Sequence, residues 1–114
     1  MRNTIKKHID FAISDQDVNA RSAFFFVRAR TAKFPDDPRY GLVVTKRTFK
    51  LAVHRNRAKR LLRDWIMFNE KHMCRDMDYV FIARHPILDA SRDDGRAAMR
   101  RALHYIKKTH ATQK

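Results

Sequence analysis

Hydrophobic residues recur along the chain with two different periods, which divides it into predicted strands and predicted helices. Runs of aromatic and β-branched residues predict three strands, at residues 23–30, 40–45 and 78–84. Apolar residues at helical spacing predict three helices, at residues 5–17, 51–69 and 92–108. A further short strand near residues 31–36 stays open. The order predicts an α+β fold, an α/β sandwich with one mixed sheet, in a single domain over residues 1–114.

The alternation within strand 23–30 separates two faces. One face carries Phe25, Val27 and Ala29, and the other carries Phe24, Phe26, Arg28 and Arg30. We expect the first face in the core, because burying arginines without partners is costly. A slip of one residue would exchange the two faces, and the sequence leaves that register open.

The predicted helix 51–69 has an apolar side and a cationic side. The apolar side consists of Ala58, Leu61, Leu62, Trp65, Ile66 and Phe68. The cationic side consists of Asn56, Lys59, Arg60 and Arg63, flanked by Arg55 and Arg57. From Lys46 to Arg63 there are eight Lys or Arg residues and no acidic residue. A solvated helix face normally interleaves both signs of charge, so this face indicates a polyanionic partner.

Composition supports the same class of partner. The 114 residues include 26 Lys or Arg and 12 Asp or Glu, a formal net charge of +14, and nucleic acid is the usual partner for such an excess. Two glycines are too few for a glycine-rich phosphate loop. The apolar runs are too short for a membrane span or a secretory signal, and Cys74 has no second cysteine to pair with. We therefore expect a cytoplasmic protein without a membrane partner.

Residues 55–63 read R-N-R-A-K-R-L-L-R and resemble the motif R-N-R-x-K-R-x-x-R of the bacterial ribonuclease P protein component. The flanking segments agree with this resemblance. Residues 40–47 resemble the strand of that family that ends in a basic pair, and residues 78–84 resemble the strand after the motif helix. Residues 5–11 are similar to the first helix of the family, so the resemblance extends over about residues 5–108.

The resemblance implies the protein subunit of a ribonucleoprotein endoribonuclease that removes the 5′ leader from precursor tRNA. In that family a large RNA that requires Mg²⁺ is the catalyst, so no catalytic side chain, metal site or cofactor is expected in the protein. The implied partners are the catalytic RNA and precursor tRNA, and not DNA. The residues implied to contact the catalytic RNA are Lys46, Arg47, Arg55, Asn56, Arg57, Lys59, Arg60 and Arg63. The family also implies a left-handed βαβ crossover, as in the second domain of ribosomal protein S5.

In that family the leader binds in a cleft between the first helix and one face of the sheet. Phe11 matches an aromatic residue of the cleft, and Phe26 and Arg28 are our candidates from strand 23–30. Aromatic rings that stack on bases, with cations beside them, suit single-stranded RNA. Two features depart from the family: Asp15 stands where a second aromatic residue is common, and the glycine before the first strand is absent.

Two other functional classes stay open. A ribosomal-type or RNA-chaperone protein would share the charge without needing a leader cleft. A free-standing nuclease would need carboxylates that converge on bound metal ions. Its candidates, Asp76, Asp78, Asp93 and Asp94, are instead predicted at a strand entrance and at a helix N-terminus, where acidic residues are favourable.

Several other residue types have structural interpretations. His72 and Cys74 offer only two donors, which is too few for a structural zinc site. Four apolar residues between positions 67 and 77 are predicted to fill the core and not to bind a cofactor: Met67, Phe68, Met73 and Met77. Ser91 stands three residues before Asp94 and is predicted to cap the last helix.

Overall fold

The computed structural model describes residues 3–4, 17–34 and 36–113. The strands are β1 (Asn3–Thr4), β2 (Val18–Arg21), β3 (Phe25–Thr31), β4 (Arg39–Val43) and β5 (Met77–Ala83). The helices are α1 (Ala52–Phe68) and α2 (Arg92–Gln113), with short 3₁₀ helices at Glu70–His72 and His85–Asp89. The helix predicted over residues 5–17 lies outside the described residues, except for Asp17, which is not helical.

The five strands form one mixed sheet in the order β1-β4-β5-β3-β2. The strands β1, β4 and β5 are parallel, whereas β3 pairs antiparallel with β5 and with β2. The α+β class with a mixed sheet is therefore confirmed. Helix α1 connects the adjacent parallel strands β4 and β5, as the resemblance implies. Strand order does not determine the hand of this crossover, which stays a prediction.

The alternation predicted for β3 is confirmed. Phe25 and Val27 are fully buried, whereas Phe26 and Arg28 are half-buried on the opposite face. This burial settles the register that the sequence left open. Phe24 is the exception: it precedes the strand and packs on Trp65, with 5.8 Å between the ring centroids, so it does not share the face of Phe26.

The core is a single layer between one face of the sheet and the two helices. Its largest fully buried side chains include Phe25, Phe49, Leu62, Trp65, Tyr79, Phe81, Met99, Leu103 and Ile106. Met73 and Met77 are buried as predicted. The prediction is wrong for Met67 and Phe68, which are 58% and 57% exposed. At about 100° per residue, Met67 points away from the buried stripe of α1 and Phe68 lies at its edge.

Two short strands and the end of the last helix differ most from the sequence prediction. The short strands β1 and β2 were not predicted, because two to four residues carry too little pattern to identify a strand. The described residues near 31–36 form no separate strand after the end of β3. Helix α2 continues to Gln113, five residues beyond the predicted end at 108. Residues 109–113 lack the apolar spacing on which the prediction depends.

The start of α2 is fixed against the end of α1 by polar contacts. The hydroxyl of Ser91 accepts a hydrogen bond from the N–H of Asp94 at 3.1 Å, which confirms the predicted cap. The buried amide of Asn69 donates to the carbonyls of Trp65 (2.9 Å) and Arg96 (3.0 Å). The Asn69 side chain thus links the C-terminal end of α1 to the first turns of α2.

Candidate nucleic-acid interface

Helix α1 presents cations outward from an apolar anchor. Ala58, Leu62 and Trp65 are completely buried and attach the helix to the core. Six of the eight polar residues predicted for RNA contact are exposed, in the loop before the helix (Lys46, Arg47) and on the helix (Asn56, Arg57, Arg60, Arg63). Arg55 and Lys59 are half-buried. We call the following set the RNR surface: Lys46, Arg47, Arg55, Asn56, Arg57, Lys59, Arg60 and Arg63. All eight predicted residues thus lie in the loop that follows β4 or in α1, which begins after that loop.

The charges of the RNR surface are not neutralised by carboxylates. Within residues 17–34 and 36–113, the ion pairs join other partners. Asp64, the acidic residue of α1 itself, binds Arg96 through two hydrogen bonds of 3.0 and 3.1 Å instead of its cationic neighbours. The positive potential of the RNR surface is therefore available to a phosphate backbone.

The loop between β4 and α1 is ordered by its own side chains. Thr45 accepts a hydrogen bond at its hydroxyl from the N–H of Thr48 (3.2 Å) and at its carbonyl from Phe49 (2.9 Å). This turn leaves Lys46 and Arg47 exposed at its tip. Arg55 has a second role that the sequence did not predict. Its Nη1 donates to the carbonyls of Phe49 (2.9 Å) and Lys50 (3.1 Å), which ties the loop to the helix.

The N-terminus of α1 adds to this positive potential. Leu51 occupies the N-cap position, and the described contacts include no side-chain cap and no acidic residue in the first turn. The free N–H groups and the helix dipole together favour an anion at this end. Leu51 and Val53 are 56% and 65% exposed beside them, so apolar contact area adjoins the cations.

The sheet face opposite the helices carries the second predicted set. Phe26 lies between two guanidinium groups, with its ring centroid 4.8 Å from Cζ of Arg84 and 5.7 Å from Cζ of Arg21. Both arginines were missed, because their approach to Phe26 depends on strand pairing. Arg84 is held in place by a hydrogen bond of 2.9 Å to the carbonyl of Ser22. Arg28 and Phe26 line a shallow depression of about 350 Å³, and Phe11 lies outside the described residues.

The carboxylates suggested for a nuclease have separate structural partners. Asp78 is buried and accepts hydrogen bonds from the backbone N–H of Arg39 (2.7 Å) and from its Nη2 (3.2 Å). Asp76 lies 3.1 Å from Nε2 of His110. In the described part of the chain, no three His, Cys, Asp or Glu side chains converge on a common point. Asp93 and Asp94 lie in the first turn of α2, as predicted.

A pair of imidazoles joins α2 to the first 3₁₀ helix. Nε2 of His104 lies 3.1 Å from Nδ1 of His72. Partial burial lowers the pKa of His72, and the positive charges of His104, Lys71, Arg100 and Lys107 lower it further.

Among the helices that the structure describes, none combines enough length and apolar character to span a bilayer.

A family model and individual relatives identify the same family. The sequence model described as Ribonuclease P matches residues 1–107. The ribonuclease P protein component of Pseudomonas entomophila is 51% identical over 49 residues, which are 43% of this chain and 36% of that protein. The chain thus aligns with little more than a third of this relative. The component of Vibrio campbellii is 38% identical over 82 residues, 72% of this chain and 68% of that protein.

Solved structures agree with the sequence comparison. The ribonuclease P protein of Staphylococcus aureus superposes with a TM-score of 0.69 at 27% identity and covers 96% of each chain. The protein of Thermotoga maritima has a TM-score of 0.66 at 22% identity, over 78% of this chain and 83% of the other, and so supports the fold. Since the family match extends over nearly the whole chain, this protein belongs to the ribonuclease P protein family.

Proposed function

We propose that this chain is the protein subunit of ribonuclease P and assists a catalytic RNA in removing the 5′ leader from precursor tRNA. The observation that carries the proposal is the RNR surface, whose cations face outward without carboxylate partners among the described residues. In this proposal the RNA subunit performs the cleavage and binds the Mg²⁺ it requires. The protein contributes no catalytic side chain, binds no cofactor itself and works in the cytoplasm.

The RNR surface would bind the catalytic RNA mainly through its phosphates. Arginine forms paired hydrogen bonds to phosphate oxygens, and the uncapped start of α1 adds backbone N–H donors. Exposed Asn56 has both a donor and an acceptor, so it suits a ribose or base edge between two arginines. Trp65 of α1 is buried and anchors the helix to the core, so the backbone positions of the cationic residues are fixed before RNA binds. This anchoring lowers the entropy cost of binding.

The face of Phe26 would hold the leader of the substrate. A half-buried ring flanked by Arg21 and Arg84 offers a stacking surface whose position is fixed by cation–π contacts. Arg28 on the same face supplies a further cation beside it. Such an arrangement binds single-stranded RNA with little preference for sequence, as removal of leaders of varied sequence requires.

The experiment is reconstitution of the full chain with a bacterial ribonuclease P RNA at low Mg²⁺. We expect the protein to lower the Mg²⁺ concentration needed for cleavage and to strengthen binding of precursor tRNA over mature tRNA. If neither changes, the proposal is wrong. Cleavage of precursor tRNA by the protein without RNA would also contradict it, because the catalyst would then be the protein.

Phe26→Ala distinguishes this function from general RNA chaperoning. We expect the variant to lose affinity for precursor tRNA while its affinity for mature tRNA holds, because only the precursor carries a leader. Phe26→Tyr, which keeps the ring, is the matched control and should retain the preference for precursor. Equal losses for both tRNAs would indicate an RNA-binding protein without a leader site.

A further inference from the structure

A separate groove lies between the edge strand β2 and helix α2. It has a volume of about 760 Å³ and is lined on one side by residues 19–24 and on the other by residues of α2 from Asp94 to Tyr105. A volume of this size is within the usual range for small-molecule and nucleotide sites. It lies on the helix side of the sheet, whereas Phe26 faces the opposite side. The proposed leader face therefore does not include it.

The lining combines one open aromatic ring with cations. Tyr105 lines this groove and is 56% exposed, so its ring is open to a ligand. Ala98 and Ala102 on α2 are small, and they give the groove its depth next to Phe24. Arg101 is exposed along the same groove, and exposed Arg21 lies at its edge, where its guanidinium reaches over Phe26 on the other face of the sheet. Asp94 supplies a carboxylate, but it precedes Arg101 by seven residues, about two helical turns.

The groove is continuous with the face of Phe26 around the edge of the sheet. Asn19, Ala20 and Arg21 line both this groove and the depression that contains Phe26 and Arg28. Strand β2 is the last strand of the sheet, so a bound chain can pass from one face to the other across it. Arg21 lies at this crossing point and contacts Phe26 on one side of the strand.

The surrounding charge favours RNA as the occupant. After Asp94 the chain contains no acidic residue. Exposed Arg101 lines the groove, and exposed Lys108 follows it by seven residues, about two turns further along the same side of α2. An excess of positive charge next to an exposed ring matches a phosphate backbone with a stacked base. A protein partner would have to be strongly acidic to fit the same surface.

We propose that the groove between β2 and α2 binds a second segment of single-stranded RNA, with a base stacked on Tyr105 and phosphates near Arg21 and Arg101. This inference rests on the proposed function, because the segment is the continuation of the leader beyond the face of Phe26. It implies that the protein contacts a longer stretch of leader than the sheet face alone can hold. The added contact is tolerant of sequence, since any base can stack on tyrosine.

The test compares two precursor tRNAs in the reconstituted holoenzyme, one with a short leader and one extended by about four nucleotides, within the range of typical single-strand sites. We expect the wild-type protein to bind the extended precursor at least about fivefold more tightly, the lower end of what one stacked base contributes. Tyr105→Ala should remove this gain and leave binding of the short leader unchanged. Tyr105→Phe should retain the gain, and Arg101→Gln should reduce it more than Lys107→Gln, which removes a charge on the opposite side of α2.

Three outcomes overturn the inference while leaving the proposed function intact. Equal affinity of wild type for both leaders shows that the groove is not reached. An undiminished gain in Tyr105→Ala shows that the extension binds elsewhere. A loss of self-association in Tyr105→Ala, measured by sedimentation without RNA, shows that the groove joins two copies of the chain. Failure of wild type to support reconstitution with the short leader contradicts the proposed function itself.

Discussion

Gly95 lies directly against the indole of Trp65: a Cβ atom at position 95 would be only 2.0 Å from Cε2 of the ring. Trp65 is fully buried, and its other contacts reach Phe24 and Phe25 at centroid distances of 5.8 and 6.2 Å. The start of α2 can therefore approach α1 only because position 95 has no side chain. This contact sets how closely α2 packs against α1, the helix that carries most of the RNR surface.

Gly95→Ala should destabilise the protein by about 1–3 kcal/mol, the usual range for overpacking a core. The gain of up to about 1 kcal/mol in helix propensity offsets only part of that cost. Urea unfolding of both proteins gives the difference in the free energy of unfolding. In a double-mutant cycle with Trp65→Phe, the smaller ring should recover part of the loss. Additive effects of the two substitutions would show that the contact with Trp65 is not the cause.

Arg60→Glu should weaken binding to ribonuclease P RNA more than about tenfold, because it replaces a phosphate contact with repulsion. Arg60 is exposed on the side of α1 away from the core, so the free energy of unfolding should stay within about 0.5 kcal/mol. Lys107→Glu changes the net charge equally at an exposed position of α2 outside both proposed RNA sites and serves as the control. A loss of folding in Arg60→Glu, or equal losses of affinity in both variants, would contradict the assigned face.

The affinity for single-stranded RNA should depend steeply on salt. If about six phosphates are neutralised, the slope of log K against log salt concentration is about −0.7 × 6, or about −4. Affinity should then fall roughly 300-fold between about 50 and 200 mM salt. Fluorescence anisotropy of a labelled RNA measures this slope directly. A slope near zero would mean that stacking, and not phosphate contact, dominates binding.

Elements with a long hydrophobic pattern could be predicted from the sequence, whereas short elements and contacts between strands could not. Helix α1 carries its anchor and its cations over 17 residues, so the sequence alone separates Leu62 from Arg60 correctly. Strand β2 has only four residues. It lines the groove beside α2 and the depression beside Phe26, and its place there depends on pairing with β3. The same is true of Arg84, whose approach to Phe26 joins two strands. Local periodicity cannot report contacts of this kind, because they arise between segments distant in sequence.

Replacing Asp78 should lower the free energy of unfolding much more than replacing Asp76. The pair of Arg39 and Asp78 is buried, with side-chain exposures of 10% and 5%, so Asp78→Ala leaves a buried guanidinium without this carboxylate. Breaking a buried pair in this way costs about 3–5 kcal/mol. The side chain of Asp76 is 47% exposed, and Asp76→Ala should cost less than about 1 kcal/mol. Similar losses of stability, or RNA cleavage by the isolated wild-type protein, would contradict this structural role.

The pair of His72 and His104 should make stability depend on pH. The pKa of His72 is lowered from 6.5 by partial burial and then by the neighbouring positive charges, of which His104 contributes most. The unfolded chain therefore binds the proton more readily than the folded chain, so the free energy of unfolding should fall as the pH drops below about 6.5. His72→Gln removes this contribution and should flatten the decline between about pH 7.5 and 5. In His104→Gln, NMR titration should show the pKa of His72 closer to 6.5, because a positive charge beside it is lost. A pKa of His72 at or above 6.5 in the wild-type protein would contradict the sign of this dependence.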